Sequence, residues 1–414
     1  MTAEATIGGK LRRFFHLPRP VYWLSAAAFF ASLATMAMKF LALHLATDLA
    51  YSVEAIGRLL MAYGLGAIIG AFAGGYLTDR LGSRTVLIAS LALLTPLFTI
   101  FAFVPAPLLP IVIFGLGMLQ AAFRPAYNGA LLHLCAADER TRSYSAYITA
   151  VNIGGSIAGA LGGVLAAQDF RLVLAVSALP PLAAALCVRH ALIGGTIVPH
   201  RMIPTAAAAQ PEGRFAILRD HRFIALCLIE LVCAFIMAQL FSTYPIYLKD
   251  VYGFTPETFG YLLMVSGLLV AALSLPLTTF SQRYRDDLVT MLAIMLFGGG
   301  FAVLPLGGGA WFAMTTVIVW TLGEILLWPM LMKLAMRAAE HKSGGTYLGV
   351  YHSIFSISQI VSPLAGTWIY AALGGHVLWL VCGGLSIVGA MILWAFDLGR
   401  APATHFTSLE KAQK

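Results

Sequence analysis

"GGYLTDRLGSRTVL", residues 74–87, gathers Asp79, Arg80 and Arg84 around Gly82 between two long apolar runs. A charged cluster in that position reads as a short polar turn joining two membrane-crossing helices, provided the rest of the chain supplies such helices. It does. Of 414 residues, 60% are hydrophobic and 11% charged, against about 25% charged in soluble domains. Apolar runs lie near 21–47, 56–76, 86–104, 108–134, 144–167, 170–188, 223–248, 257–280, 288–306, 311–334, 347–371 and 376–396. Each has about 18 residues or more, enough to cross roughly 30 Å of hydrocarbon as a helix. The sequence therefore predicts an all-α integral membrane protein with twelve transmembrane helices, numbered here as spans one to twelve. The Pro- and Gly-interrupted run at 288–306 is the least regular.

The net charge of +8 is an orientation signal and not a nucleic-acid footprint. Lys10, Arg12, Arg13 and Arg19 precede span one, Arg80 and Arg84 follow span two, and Arg140 and Arg142 follow span four. Arg189, Arg201, Arg214, Arg219 and Arg222 fill the central loop, with Arg283, Arg285, Arg337 and Lys342 beyond it. Loops on the other side carry only Arg58, Arg171 and Lys249. Basic residues concentrate on the cytoplasmic side of membrane proteins, which places both termini in the cytoplasm. Span one is too long for a secretory signal and no clear cleavage site follows it. Cys135, Cys187, Cys227, Cys233 and Cys382 fall in or at the ends of spans and read as packing residues rather than disulfides or metal ligands. No cofactor is expected.

An internal repeat divides the chain. "FRPAYNGALLHLCAADERTRSYSAY" (123–147) and "LWPMLMKLAMRAAEHKSGGTYLGVY" (327–351) occupy equivalent places in two halves; Pro125 and Pro329 differ by 204 positions, Tyr144 and Tyr347 by 203. Residues 1–188 and 223–414 read as two copies of a six-span unit, joined by a cytoplasmic loop at 189–222. Related halves with a site between them are the architecture of many secondary transporters. The offset sets Arg283 opposite Asp79, so the second half keeps a basic loop without the aspartate's position.

The pattern G-x-L-x-D-R-x-G-x-R, here Gly75, Leu77, Asp79, Arg80, Gly82 and Arg84, resembles the loop between spans two and three of the major facilitator superfamily. The resemblance extends over the whole chain, and "QLFSTYPIYLKD" and "LGEILLWP" are most similar to bacterial drug:proton antiporters. It implies two pseudo-symmetric six-helix bundles, and a loop that acts as a conformational latch. Gly82 permits the tight reversal, Gly75 lets helices approach, and Asp79 suits the positive N-terminus of a neighbouring helix. The resemblance names that neighbour as span eleven, which begins around Gly344, Gly345, Thr346 and Tyr347. Two departures stand out: Gly117 replaces an arginine common in span four, with Arg124 seven residues later, and Gly159 replaces the proline of an antiporter motif in span five, leaving Gly162 and Gly163.

The resemblance also implies that spans one, four, seven and ten line a central cavity. Lys39, Arg124, Glu230 and Glu324 fall on those four spans. An acid at a helix centre costs about 3 kcal/mol to insert, so such residues face cavities and mark pathways. Glu324 is the expected proton carrier, with Glu230 as second candidate and Arg124 tuning the site; the competing reading makes Glu324 a structural partner of Arg124. Lys39, near the outer end of span one, reads as either a cavity residue or a snorkelling side chain. Gln120, Asn152 and Gln239 are expected as polar cavity residues, and Tyr244 and Trp328 as apolar contacts for substrate. His352, in the first turns of span eleven, reads as a group able to titrate near neutral pH, or as a packing residue or a lipid-headgroup contact.

No Walker A motif and no convergent nucleophile or metal cluster is visible, which argues against direct ATP use and against an enzyme. The expectation is a monomeric secondary transporter of the bacterial inner membrane, working by alternating access and exchanging protons for amphipathic organic compounds. The alternative is a dedicated carrier of one metabolite, siderophore or lipid; a channel or receptor fits the repeat and the latch loop less well.

Overall fold

The computed structural model describes residues 17–135, 139–192, 216–339 and 344–399. Most of the central 189–222 loop therefore lies outside the described residues. Eleven stretches among the described residues are long and apolar enough to cross a membrane: Arg19–Thr47, Val53–Leu81, Ser83–Phe101, Ala106–Leu131, Arg142–Ala166, Phe170–Ala191, His221–Gln239, Pro256–Ser281, Gly309–Ala339, Thr346–Leu373 and Gly375–Ala395. Span nine is the shorter helix Asp286–Ala302, with 17 residues, or about 25 Å of rise. It gives way to a tight turn at Leu304–Leu306 because Pro305 cannot continue the ladder. With span nine counted, the described helices give the twelve-span, two-bundle arrangement that the resemblance implies.

Three spans are broken, and each break has a local cause. Span six stops at Ser177 and restarts at Pro180, where two prolines lack N–H donors; Thr95 Oγ1 of span three donates to the freed Ala178 carbonyl at 2.8 Å. Span one breaks between Leu33 and Met36, and Ser32 Oγ there donates to the Val151 carbonyl of span five at 2.7 Å. Span seven stops at Gln239 and resumes as Tyr244–Tyr252, with Pro245 in its first turn. Gln239 fills this gap. Its Nε2 donates to the carbonyls of Phe235 (2.9 Å) and Ser362 (3.3 Å), and its Oε1 accepts from Ser242 (3.3 Å) and Thr243 (3.0 Å). Inside a bilayer no water would otherwise satisfy these groups.

Room for that side chain comes from Gly366 of span eleven, where a Cβ would run into the Gln239 amide. Gly366→Ala should therefore destabilise the protein by about 1–3 kcal/mol, as overpacking does. Gly349→Ala, on the same helix with nothing within 4 Å of its Cβ position, should be neutral or slightly stabilising. Thermal unfolding in detergent compares the two.

Small residues bring the halves together. Gly159 and Gly163 of span five pack on Gly260 and its neighbours in span eight, and Gly57 and Gly64 of span two on Thr367 and Gln359 of span eleven; such positions let helices approach closely. Phe40 of span one meets Phe259 of span eight edge to face at 5.4 Å. These contacts run from the end remote from the termini to mid-depth. Toward the end that carries the termini, Asp79, Arg124 and His352 are exposed. The glycine contacts between the halves thus lie away from the signature-loop end.

Candidate functional site

At mid-depth the cavity holds one charge from each half. Glu324 of span ten lies 15 residues from either end of Gly309–Ala339, about 22 Å along the helix. It is half-buried, beside the indole of Trp328 one turn on and within electrostatic reach of Lys39. Lys39 does not snorkel outward. Its Nζ donates to the Gly155 carbonyl of span five at 2.6 Å and sits 5.9 Å from the Phe241 ring centre of span seven. The break in span one just before it turns the side chain inward. Lys39, not Arg124, is therefore the basic neighbour of Glu324, which corrects the sequence expectation. Asn152 stands three residues before Gly155 on the same helix and is half-buried.

Arg124 belongs to a second layer nearer the signature-loop end, ten residues from the end of Leu109–Leu134. It has no hydrogen bond or ion pair among the described residues, and its charge lies within electrostatic reach of Tyr147 of span five, which packs on Tyr127 at 4.4 Å, and of His352 of span eleven. Trp328 contributes an apolar wall, with Phe355 edge-on to it at 5.8 Å. Gln120, one turn from Arg124, accepts from Tyr63 Oη of span two at 2.8 Å, while its buried Nε2 has no partner among the described residues.

Three expected residues lie elsewhere. Glu230 is 3% exposed and accepts a 2.5 Å hydrogen bond from Tyr351 Oη, inside the second bundle between spans seven and eleven. Gln239 is fully buried as the filler of the span-seven break. Tyr244 is also fully buried, in an aromatic cluster with Phe259, Phe301 and Trp379 at 5.7–6.1 Å. All three sit on a cavity-lining span, but on faces that packing turned inward.

The signature loop is a tight reversal. Gly82 has φ +81°, a conformation that a side chain disfavours, and its N–H donates to the Thr78 carbonyl at 2.9 Å. Arg80 lies over the Tyr76 ring at 4.5 Å, and Arg84 is half-buried. Asp79 makes no hydrogen bond or ion pair among the described residues. The close helix contact falls on Gly74, whose Cβ would strike Ala122, whereas Gly75 has only Pro125 at 4.0 Å. Gly117 is explained similarly: any side chain there would strike the Tyr63 carbonyl of span two, so an arginine has no room.

Tyr63, Tyr147 and Phe355 are not singled out by the sequence, and His352 stands beside Arg124 rather than as a packing or headgroup residue. The repeat offset carried part of the signal, since Tyr147 and Tyr351 differ by 204, as do Gln120 and Glu324, and Arg124 and Trp328.

Known proteins share this fold. The Major Facilitator Superfamily model matches residues 24–362, and the chain belongs to that superfamily. It is therefore a multi-pass membrane transporter rather than an enzyme. The chain is 24% identical over 347 residues to the multidrug resistance protein MdtH of Cronobacter sakazakii, with 81% of this chain and 82% of the relative covered. It is 23% identical over 393 residues to a Na(+), Li(+), K(+)/H(+) antiporter of Planococcus maritimus, covering 88% and 92%. The fold matches a peptide transporter POT in complex with sulfate (TM-score 0.77, 15% identity, 94% and 96% covered) and the nucleoside transporter NupG (TM-score 0.73, 16% identity, 92% and 99% covered).

Proposed function

We propose that the protein exports amphipathic organic compounds across the bacterial inner membrane in exchange for protons, as a monomer with both termini cytoplasmic. The observation that carries this reading is Glu324 facing Lys39 from the opposite half at mid-depth. Ionised, the carboxylate attracts Lys39 and favours the arrangement in which the halves keep them close. Protonated, it loses that attraction and tolerates a dry, closed cavity. A proton on Glu324 thus has different free energies in different conformers, which is what coupling requires. The relatives named for multidrug resistance and for cation/proton antiport support both parts of the proposal.

The test uses purified protein in liposomes with an imposed pH gradient and a fluorescent amphipath on the substrate side. Substrate should move against its gradient while protons move the other way, and a protonophore should stop both. Transport unaffected by the protonophore would sink the proposal.

A further inference from the structure

We infer that the layer around Arg124 is a subsite for the acidic head of an amphipathic organic anion, a carboxylate or sulfonate attached to an aromatic body. The inference rests on reading the cavity as the substrate path and adds the charge of the substrate. Four ionisable groups were expected inside the spans, two acids and two bases, which leaves no preference between anions and cations. The structure removes the balance. Glu230 is buried against Tyr351 within its own bundle, and Glu324 is offset by Lys39. Arg124 is left exposed, with no ion pair or hydrogen bond among the described residues.

From the other half, His352 lies within its electrostatic reach, and an imidazole is neutral or cationic and never an anion. A guanidinium whose donors have no partner among the described residues suits an oxyanion, because charge-assisted and bidentate hydrogen bonds are the strong ones. The apolar body has a place at the same depth. Trp328 follows Arg124 by the repeat offset of 204, so pseudo-symmetry sets the two at equal depth on opposite walls. Phe355 stands one turn beyond His352 and packs on Trp328. A planar apolar group would contact Trp328 and Phe355 while its acidic substituent reaches Arg124 and His352.

The test holds the body constant and varies the head: 1-naphthoate, 1-naphthamide and 1-naphthylmethylammonium, titrated against the protein in phosphatidylcholine nanodiscs, with empty nanodiscs subtracted. Naphthoate should bind about tenfold more tightly than the amide, the scale of one charge-assisted pair, and the ammonium most weakly. Arg124→Gln should bring naphthoate to the level of the amide and leave amide binding intact, which also shows that the variant is folded. Arg124→Lys should keep part of the preference, and Trp328→Ala should weaken all three probes. Preference for the ammonium, or a naphthoate preference that survives Arg124→Gln, overturns the assignment. Proton-coupled transport of amphipaths without an anion preference would overturn this subsite alone. An anion preference without proton coupling would instead overturn the antiport reading and leave the subsite standing.

Discussion

Glu324→Gln should reduce pH-gradient-driven transport to the level of protein-free liposomes while substrate binding and substrate–substrate exchange persist. Glutamine reproduces the shape and neutral state of the protonated acid, so the cavity closes and opens as for the proton-loaded carrier. What it cannot do is release a proton on one side and take one up on the other. Folding should not suffer, because an intramembrane acid costs about 3 kcal/mol to insert and its amide costs less. Lys39 keeps its bond to the Gly155 carbonyl and so is not left without a partner. Glu230→Gln is the matched control: Tyr351 can donate to an amide oxygen as it does to the carboxylate, and transport should stay close to wild type. Simultaneous pyranine and substrate fluorescence read both fluxes. If Glu324→Gln moves substrate at the wild-type rate under the same gradient, Glu324 is structural and coupling lies elsewhere.

The spans were legible because hydrocarbon imposes both a length and a composition, which a sequence displays directly. The exception at span nine follows from Pro305 and the glycines after it, which shorten the helix without removing it. Depth in the membrane was legible as well, since Glu324 falls 13 residues into the apolar run at 311–334. Rotation about each helix axis was not, and that is why Gln239 and Tyr244 were expected on the cavity wall. Their direction depends on Pro245, which breaks span seven and creates a gap that only a side chain with both donors and acceptors can fill. The Lys39–Glu324 relation was hidden for a different reason. It joins two halves through a kink in span one, and no periodicity records which residues meet across an interface. Gly74 and Gly75 make the same point at one-residue scale, since both are small but only the helix face decides which one touches span four.

Asp79→Asn should slow transport about five- to thirtyfold, the effect of removing an anion worth about 1–2 kcal/mol at a partly buried helix N-terminus. Asp79 is exposed, with no hydrogen bond or ion pair among the described residues. Its counterpart region in the second half is arranged differently. Asp286 is already engaged by Lys333 at 2.7 Å and Arg337 at 2.5 Å within its own bundle, so it has nothing to offer across the interface. Asp79 does, and the helix Gly344–Leu373 begins at the same end of the molecule. When the halves approach on this side, we propose that the carboxylate meets the first-turn N–H groups of that helix, which have no intrahelical acceptor, and holds the closed form. Asparagine keeps the size and loses the charge, so the closed conformer should become rarer by the same factor. Binding at Arg124 should not change. Arg80→Ala, which removes a cation resting on the Tyr76 ring, should have a smaller effect, since exposed cation–π pairs contribute only about 0.5–1 kcal/mol. Spin labels at Leu77 and Ser353, both exposed, would report the separation of spans two and eleven, and the five native cysteines are buried, which limits unwanted labelling. Wild type should show a short and a long distance, and Asp79→Asn should lose most of the short one. Unchanged distance populations together with an unchanged transport rate would leave Asp79 as an ordinary loop charge.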